Sequence, residues 1–166
     1  MRFYLLDRVT EINLGKSIKG IKCWSLTDSI FNEHFRGMPV VPGVLLIESM
    51  AQLLGILIEK SYFEKFTNKD KHLYPLLSIV HKAKFRNLII PGDCMEVTGK
   101  LEILDKSIAR GSAVVSVKEE KMATSNLSFS LIGSSDFDNP ALENERDEYL
   151  KVLMNNARMI KKVIKQ

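Results

Sequence analysis

The sequence predicts an α+β fold: a curved antiparallel sheet wrapped around one central buried helix, with a C-terminal helical extension. Three observations carry this. Nearly every position of residues 44–60 is apolar, so that helix has to be covered on most sides. Downstream, three alternating segments (94–104, 108–118 and 122–133) are joined by short polar turns at 105–107 and 119–121, the pattern of an antiparallel meander. Residues 142–166 then place apolar side chains at 142, 149, 150, 153, 157, 160 and 164, which is helical spacing. A sheet bent around the apolar helix buries both elements at once.

Composition bounds the class. A chain of 166 residues is one domain's worth, long enough to bury a core. It divides into a sheet-and-helix domain over 1–133 and a linker with an amphipathic helix over 134–166. The 24 basic and 20 acidic side chains leave +4, a mild charge that steers toward acidic partners. No Lys/Arg tract with interleaved aromatics appears, which argues against nucleic acid. Cys23 and Cys94 are far apart and lack CxxC spacing, so they are expected to be reduced, partly buried thiols rather than a disulfide or a zinc site. Charge at Asp7 and Arg8 comes too early for a secretory signal. No apolar run reaches the ~18–20 residues of a membrane span. A cytoplasmic protein is expected.

Along the chain, apolar residues at 3, 5, 6, 9 and 12 predict a short helix before the first strand. Residues 16–26 alternate as a strand with one solvated face, and 27–33 form a polar, turn-rich approach. Pro42 suits the start of the apolar helix, where its missing N–H has no partner to lose. Inside that helix Glu48, Gln52, Gly55 and Glu59 fall on one face, being spaced by four, three and four. Glu48, with Leu45, Ile47, Met50 and Ala51 around it, is expected to be partly desolvated, where an acid requires a close partner or a chemical use; the alternative reading is an acid that merely surfaces at the helix edge.

Residues 61–75 are expected to be a polar, mobile connection. Residues 76–90 follow as a strand ending at the turn Pro91-Gly92-Asp93. The last helix starts with Glu143, Glu145, Asp147 and Glu148 and ends with Arg158, Lys161, Lys162 and Lys165, complementing the helix dipole. Its apolar stripe packs on its own domain or on a sister subunit, and its mixed polar face argues against a membrane surface. His72 and His81 show no metal spacing and read as solvated or structural. Tyr62, Phe63 and Tyr74 read as packing residues or a gate.

Most of the chemistry lies in the stretch from His34 to Gln52. It contains His34-Phe35-x-Gly37, then Pro39-Val40-Val41-Pro42-Gly43-Val44, then Glu48-Ser49-Met50-Ala51-Gln52. Leu5 to Arg8, Gly15 to Ile18, Lys84 to Arg86 and Pro91 to Asp93 accompany it in order. With these landmarks the chain resembles the (3R)-hydroxyacyl-acyl-carrier-protein dehydratases from about residue 4 to residue 133. The tail beyond lies outside the likeness.

The resemblance implies the hotdog fold and elimination of water from a 3-hydroxyacyl thioester. Such a reaction requires a base at C2, a proton donor at the leaving oxygen and donors for the thioester oxygen. The implied roles are His34 as base and Glu48 as acid, with the Gly43 and Val44 N–H groups holding the oxyanion and Gln52 orienting Glu48. It also implies an acyl-carrier-protein partner, and a homodimer or larger oligomer whose sites combine His34 of one subunit with Glu48 of another; Lys82, Lys84 and Arg86 read either as the contact for that acidic carrier or as a solvated strand face. No resident cofactor or metal is implied, because phosphopantetheine arrives on the substrate. Two departures flank the base: Glu33 replaces a glycine and Arg36 a proline. Losing the proline frees φ, so a looser loop is expected. A non-catalytic acyl-carrier-binding module and an acyl thioesterase are the alternative readings.

Overall fold

A computed structural model describes residues 3–35, 37–66, 73–133 and 140–160. One seven-stranded sheet is formed by β1 (Arg8–Asn13), β2 (Ser17–Cys23), β3 (Leu73–Phe85), β4 (Cys94–Leu104), β5 (Ile108–Val117), β6 (Glu120–Gly133) and β7 (Arg158–Met159). Their spatial order is β3-β6-β5-β4-β2-β1-β7. Every neighbouring pair is antiparallel except β1 with β7. The helix α1 (Gly43–Lys65) packs against the inner face, and α2 (Pro140–Met154) follows β6.

The core joins one face of each element. On β5, Ala109, Ala113, Val115 and Val117 are buried and alternate with half-buried neighbours, as one apolar sheet face requires. On α1, Met50, Leu53, Leu54, Leu57 and Ile58 are fully buried in the same cluster. Small residues on the sheet let this helix approach closely. A Cβ at Gly20 would lie 2.8 Å from Leu53 Cδ1, and one at Gly99 2.9 Å from Leu54 Cδ2. At Gly111 it would stand 2.7 Å from the carbonyl oxygen of Lys100 and 3.0 Å from Leu54 Cδ2. Backbone cannot swing aside, so Gly111→Ala is expected to cost about 1–3 kcal/mol. A lowered urea midpoint with an unchanged slope would show it.

Four expectations are corrected. Residues 3–12 are not helical: the chain is extended and becomes β1. A register shift between Val9 and Glu11 is a bulge, and it spaces the buried Val9 and Ile12 three apart, as a helix would. The connection expected over 61–75 shrinks, because α1 continues to Lys65 and β3 begins at Leu73. Packing wins over polarity there: the Tyr62 hydroxyl donates to Lys106 O at 3.4 Å and Lys65 Nζ to Leu104 O at 2.7 Å. Residues 67–72, His72 included, lie outside the described residues.

The final helix does not run to the terminus; it ends at Met154. Asn155 and Asn156, poor helix formers, turn the chain into β7, whose next residue donates Ile160 N–H to Ile12 O at 2.9 Å. The linker residues 134–139 and the basic end 161–166 lie outside the described residues. Finally, Cys23 and Cys94 are not free thiols. The β2–β4 register sets them opposite each other, with Cα atoms 4.0 Å apart, and they are disulfide-bonded.

Candidate active site

The polar stripe of α1 is where sequence and structure agree most closely. Gln52, one turn beyond Glu48, donates from Nε2 to Glu48 Oε1 at 2.9 Å. The same amide is fixed from its other side. Its Nε2 also donates to Phe3 O at 2.9 Å, and its Oε1 accepts the Leu5 N–H at 3.0 Å. The extended N-terminal segment therefore clamps Gln52, and Gln52 aims the carboxylate. Glu48 itself is half-buried.

Gly43 and Val44 open α1. Pro42 caps the helix without a side-chain hydrogen bond, and the first turn carries no acid. Its early N–H groups and the positive end of the helix dipole are thus left for an oxygen that gains negative charge. A Cβ at Gly43 would come within 2.9 Å of the Phe85 ring, so β3 ends directly over the helix start. Lys84 and Arg86 flank that ring in sequence, and with Lys82 they are exposed. Arg86 also donates to Thr124 Oγ1 at 3.3 Å.

His34 stands on the preceding loop. Its Nδ1 lies 3.0 Å from Val40 O; a carbonyl only accepts, so Nδ1 carries the proton and Nε2 is left as the acceptor. The ring stacks on Phe35 with centroids 4.2 Å apart. The loop closes on itself: Phe35 and Met38 exchange N–H···O bonds of 3.2 and 3.0 Å, and Val40 N–H donates to His34 O at 3.2 Å. Gly37 has φ +84, a conformation glycine adopts without strain. Glu33 is exposed, and Arg36 lies outside the described residues.

A cavity of about 440 Å³ runs along α1. Glu48, Ala51, Gln52, Gly55 and Ile56 form its helical wall, facing Leu76, Leu77 and Phe129 from the sheet. A Cβ at Gly55 would meet nothing within 4 Å, so this mid-helix glycine keeps the cavity open. His34 is not part of its wall, so within one chain Glu48 and Gln52 are brought together and His34 is not.

Other candidates fall outside this chemistry. His81 Nε2 lies 2.7 Å from Ser128 Oγ on an exposed strand face. Among the described residues no cluster of His, Cys, Asp or Glu could hold a metal ion. Tyr62 is buried structure, whereas Tyr74 lines the cavity. Burial, then the Glu143 carboxylate, raises the Tyr74 phenol above its usual range.

Sequence reasoning missed how α2 reaches this region. Arg146 grips the buried Glu59 carboxylate through two bonds of 3.0 and 2.6 Å and adds one of 3.3 Å to Leu73 O. Tyr149 stacks on Tyr4 at 3.7 Å and donates its hydroxyl to Leu6 O at 3.2 Å. Burial raises that phenol, which keeps it a donor. The one advance signal was Glu59, the last position of the polar stripe that starts at Glu48.

A helix cupped by a curved antiparallel sheet, with an acid on the helix and a histidine on the loop before it, defines a hotdog-fold protein. Solved structures agree on the fold. The dehydratase heterocomplex ApeI:P of Xenorhabdus doucetiae superposes with a TM-score of 0.64 at 16% identity, covering 80% of this chain and 86% of that one. A hot-dog-like protein of Thermanaerovibrio acidaminovorans gives 0.59 at 13% identity, over 82% and 91%.

Residues 1–126 match the FabA-like domain. The 3-hydroxyacyl-[acyl-carrier-protein] dehydratase FabZ of Rickettsia felis is 41% identical over 123 residues, 74% of this chain and 81% of the relative. Its namesake from Wolbachia pipientis wMel is 38% identical over 126 residues, 76% and 84% respectively. The chain belongs to the 3-hydroxyacyl-acyl-carrier-protein dehydratase family.

Proposed function

We propose that the protein dehydrates (3R)-hydroxyacyl-acyl-carrier-protein to the trans-2-enoyl thioester, a step of cytoplasmic fatty acid biosynthesis. The observation that carries this reading is Glu48, a half-buried carboxylate held by Gln52 on the wall of a cavity lined mainly by apolar and aromatic side chains. A module that only binds has no use for such an acid. A thioesterase requires an activated water, and no residue here specifically marks one.

In this reading His34 Nε2 removes a proton from C2, and electron density moves toward the thioester oxygen. The Gly43 and Val44 N–H groups stabilise that oxygen as charge gathers on it. The C3–O bond then breaks, Glu48 supplies a proton to the departing hydroxyl, and water leaves. No resident cofactor or metal takes part, because phosphopantetheine arrives on the substrate. Lys82, Lys84 and Arg86 receive the acidic carrier protein beside the helix start.

The active form is a homodimer or a larger assembly of dimers. Two features support it. Along β3, Leu76, Leu77, Ile79 and Val80 are exposed on an edge strand whose one neighbour is β6, and a long apolar edge calls for a partner. His34 also lies outside the cavity that Glu48 lines, as expected if the base reaches that cavity from the other subunit.

The test is incubation with 3-hydroxyacyl carrier protein and mass analysis of the acyl group. Loss of one water to give the enoyl thioester is the expected result. Release of free acid would point to a thioesterase, and tight binding without product would point to a binding module.

A further inference from the structure

We propose that α2 is the end wall of the acyl cavity and sets the longest 3-hydroxyacyl chain accepted; this rests on the dehydratase reading above. The cavity has a direction. It starts at Glu48, where C3 of the substrate is placed, and follows the α1 face through Gln52 to Gly55 and Ile56. Eight residues of helix rise about 12 Å, room for a medium acyl chain laid alongside. The glycine at the far end of this run has open space over its α-carbon.

One turn further on, the cavity stops. Glu59 continues the polar stripe, but its carboxylate is taken by Arg146 from α2, and Arg146, Tyr149 and Leu150 all line the cavity. These residues lie beyond residue 126, where the match to the FabA-like domain ends. The wall therefore lies outside the part of the chain that the family match covers. It is also firmly seated. Leu150 and Leu153 are buried in the main core, Tyr149 stacks on Tyr4, and Arg146 is paired with the buried Glu59. A chain long enough to pass Gly55 meets a guanidinium already neutralised by a carboxylate, a polar barrier that an alkyl tail cannot satisfy.

The experiment measures kcat/KM for dehydration of a graded series of saturated 3-hydroxyacyl carrier-protein substrates. Full-length wild type, Tyr149→Ala, Leu150→Ala, Tyr149→Phe and Gly55→Leu are compared. Wild type is expected to fall steeply beyond a medium chain length, since one methylene too many in an apolar pocket is worth about tenfold or more. Tyr149→Ala and Leu150→Ala are expected to raise kcat/KM at least about tenfold for the first rejected chain, and to shift short chains by less than about threefold. Tyr149→Phe retains the ring and should keep the wild-type cutoff. Gly55→Leu fills the cavity before the wall and should move the cutoff to shorter chains.

If either alanine variant undocks α2 altogether, the wall is lost and the same lengthening is expected, so loss of docking does not shelter the idea. A cutoff unmoved in both alanine variants while Gly55→Leu shortens it would overturn the role of α2 and leave the dehydratase reading intact. A loss spread evenly over all chain lengths would reduce α2 to a structural brace. Absence of enoyl product from wild type at every length would overturn the dehydratase reading, and this inference with it.

Discussion

Mixing His34→Ala protein with Glu48→Gln protein is expected to restore about a quarter of wild-type dehydration, because random re-pairing leaves half the dimers mixed with one intact site each. Each variant by itself should lose about 10²–10⁴-fold in kcat, the usual contribution of a positioned acid or base. The arithmetic follows from where the groups lie: Glu48 faces the cavity beside α1, and His34 is held by Val40 O on a loop outside that cavity. Neither substitution should unfold the protein. Glu48→Gln retains the shape of the side chain, and His34→Ala leaves one half-buried carbonyl short of a partner, a cost of about 1–3 kcal/mol. Subunit exchange can be followed with differently tagged variants. Tagged heterodimers that form and stay inactive would mean that both groups serve from a single chain.

Arg146→Ala is expected to destabilise the protein by about 3–5 kcal/mol, the cost of leaving a buried charge without its partner. Glu59 is 3% exposed and receives both guanidinium bonds. The Arg146 side chain keeps 22% of its surface in solvent, which favours the lower end of that range. Replacing both residues with methionine should recover most of the loss, since apolar groups of similar volume need no ion pair. Urea unfolding of the two singles and the double variant closes the cycle. A single-variant loss below about 1 kcal/mol would show the pair to be no stronger than a surface salt bridge.

The parts of this molecule written in local patterns were legible in advance. The apolar run of α1 and the alternation of β2, β4, β5 and β6 gave those elements with ends displaced by a few residues, because one buried face per element leaves a clear period. The acid, amide and helix start were legible for a related reason: Glu48 and Gln52 are one turn apart on a single helix. What escaped depends on long-range pairing. The bulge after Val9 imitates helical spacing, and only the pairing of β1 with Gly20 and Lys19 on β2 exposes it. Cys23 and Cys94 meet only through the β2–β4 register, across 71 residues of sequence. The grip of Arg146 on Glu59 spans 87 positions. The continuing apolar period at 157 and 160 pointed to more helix, but two asparagines ended it.

The two-residue strand β7 bears on how the molecule assembles. Lying parallel on β1, with Arg158 and Met159 exposed, it blunts one rim of the sheet with a segment too short and too charged to template another chain. The other rim, the thirteen residues of β3, is long and exposes an apolar stretch from Leu76 to Val80. A sheet able to grow from both rims could propagate head to tail into a fibre. With a single adhesive rim, the dimer proposed above would meet rim to rim about a two-fold axis, and association would close after one step.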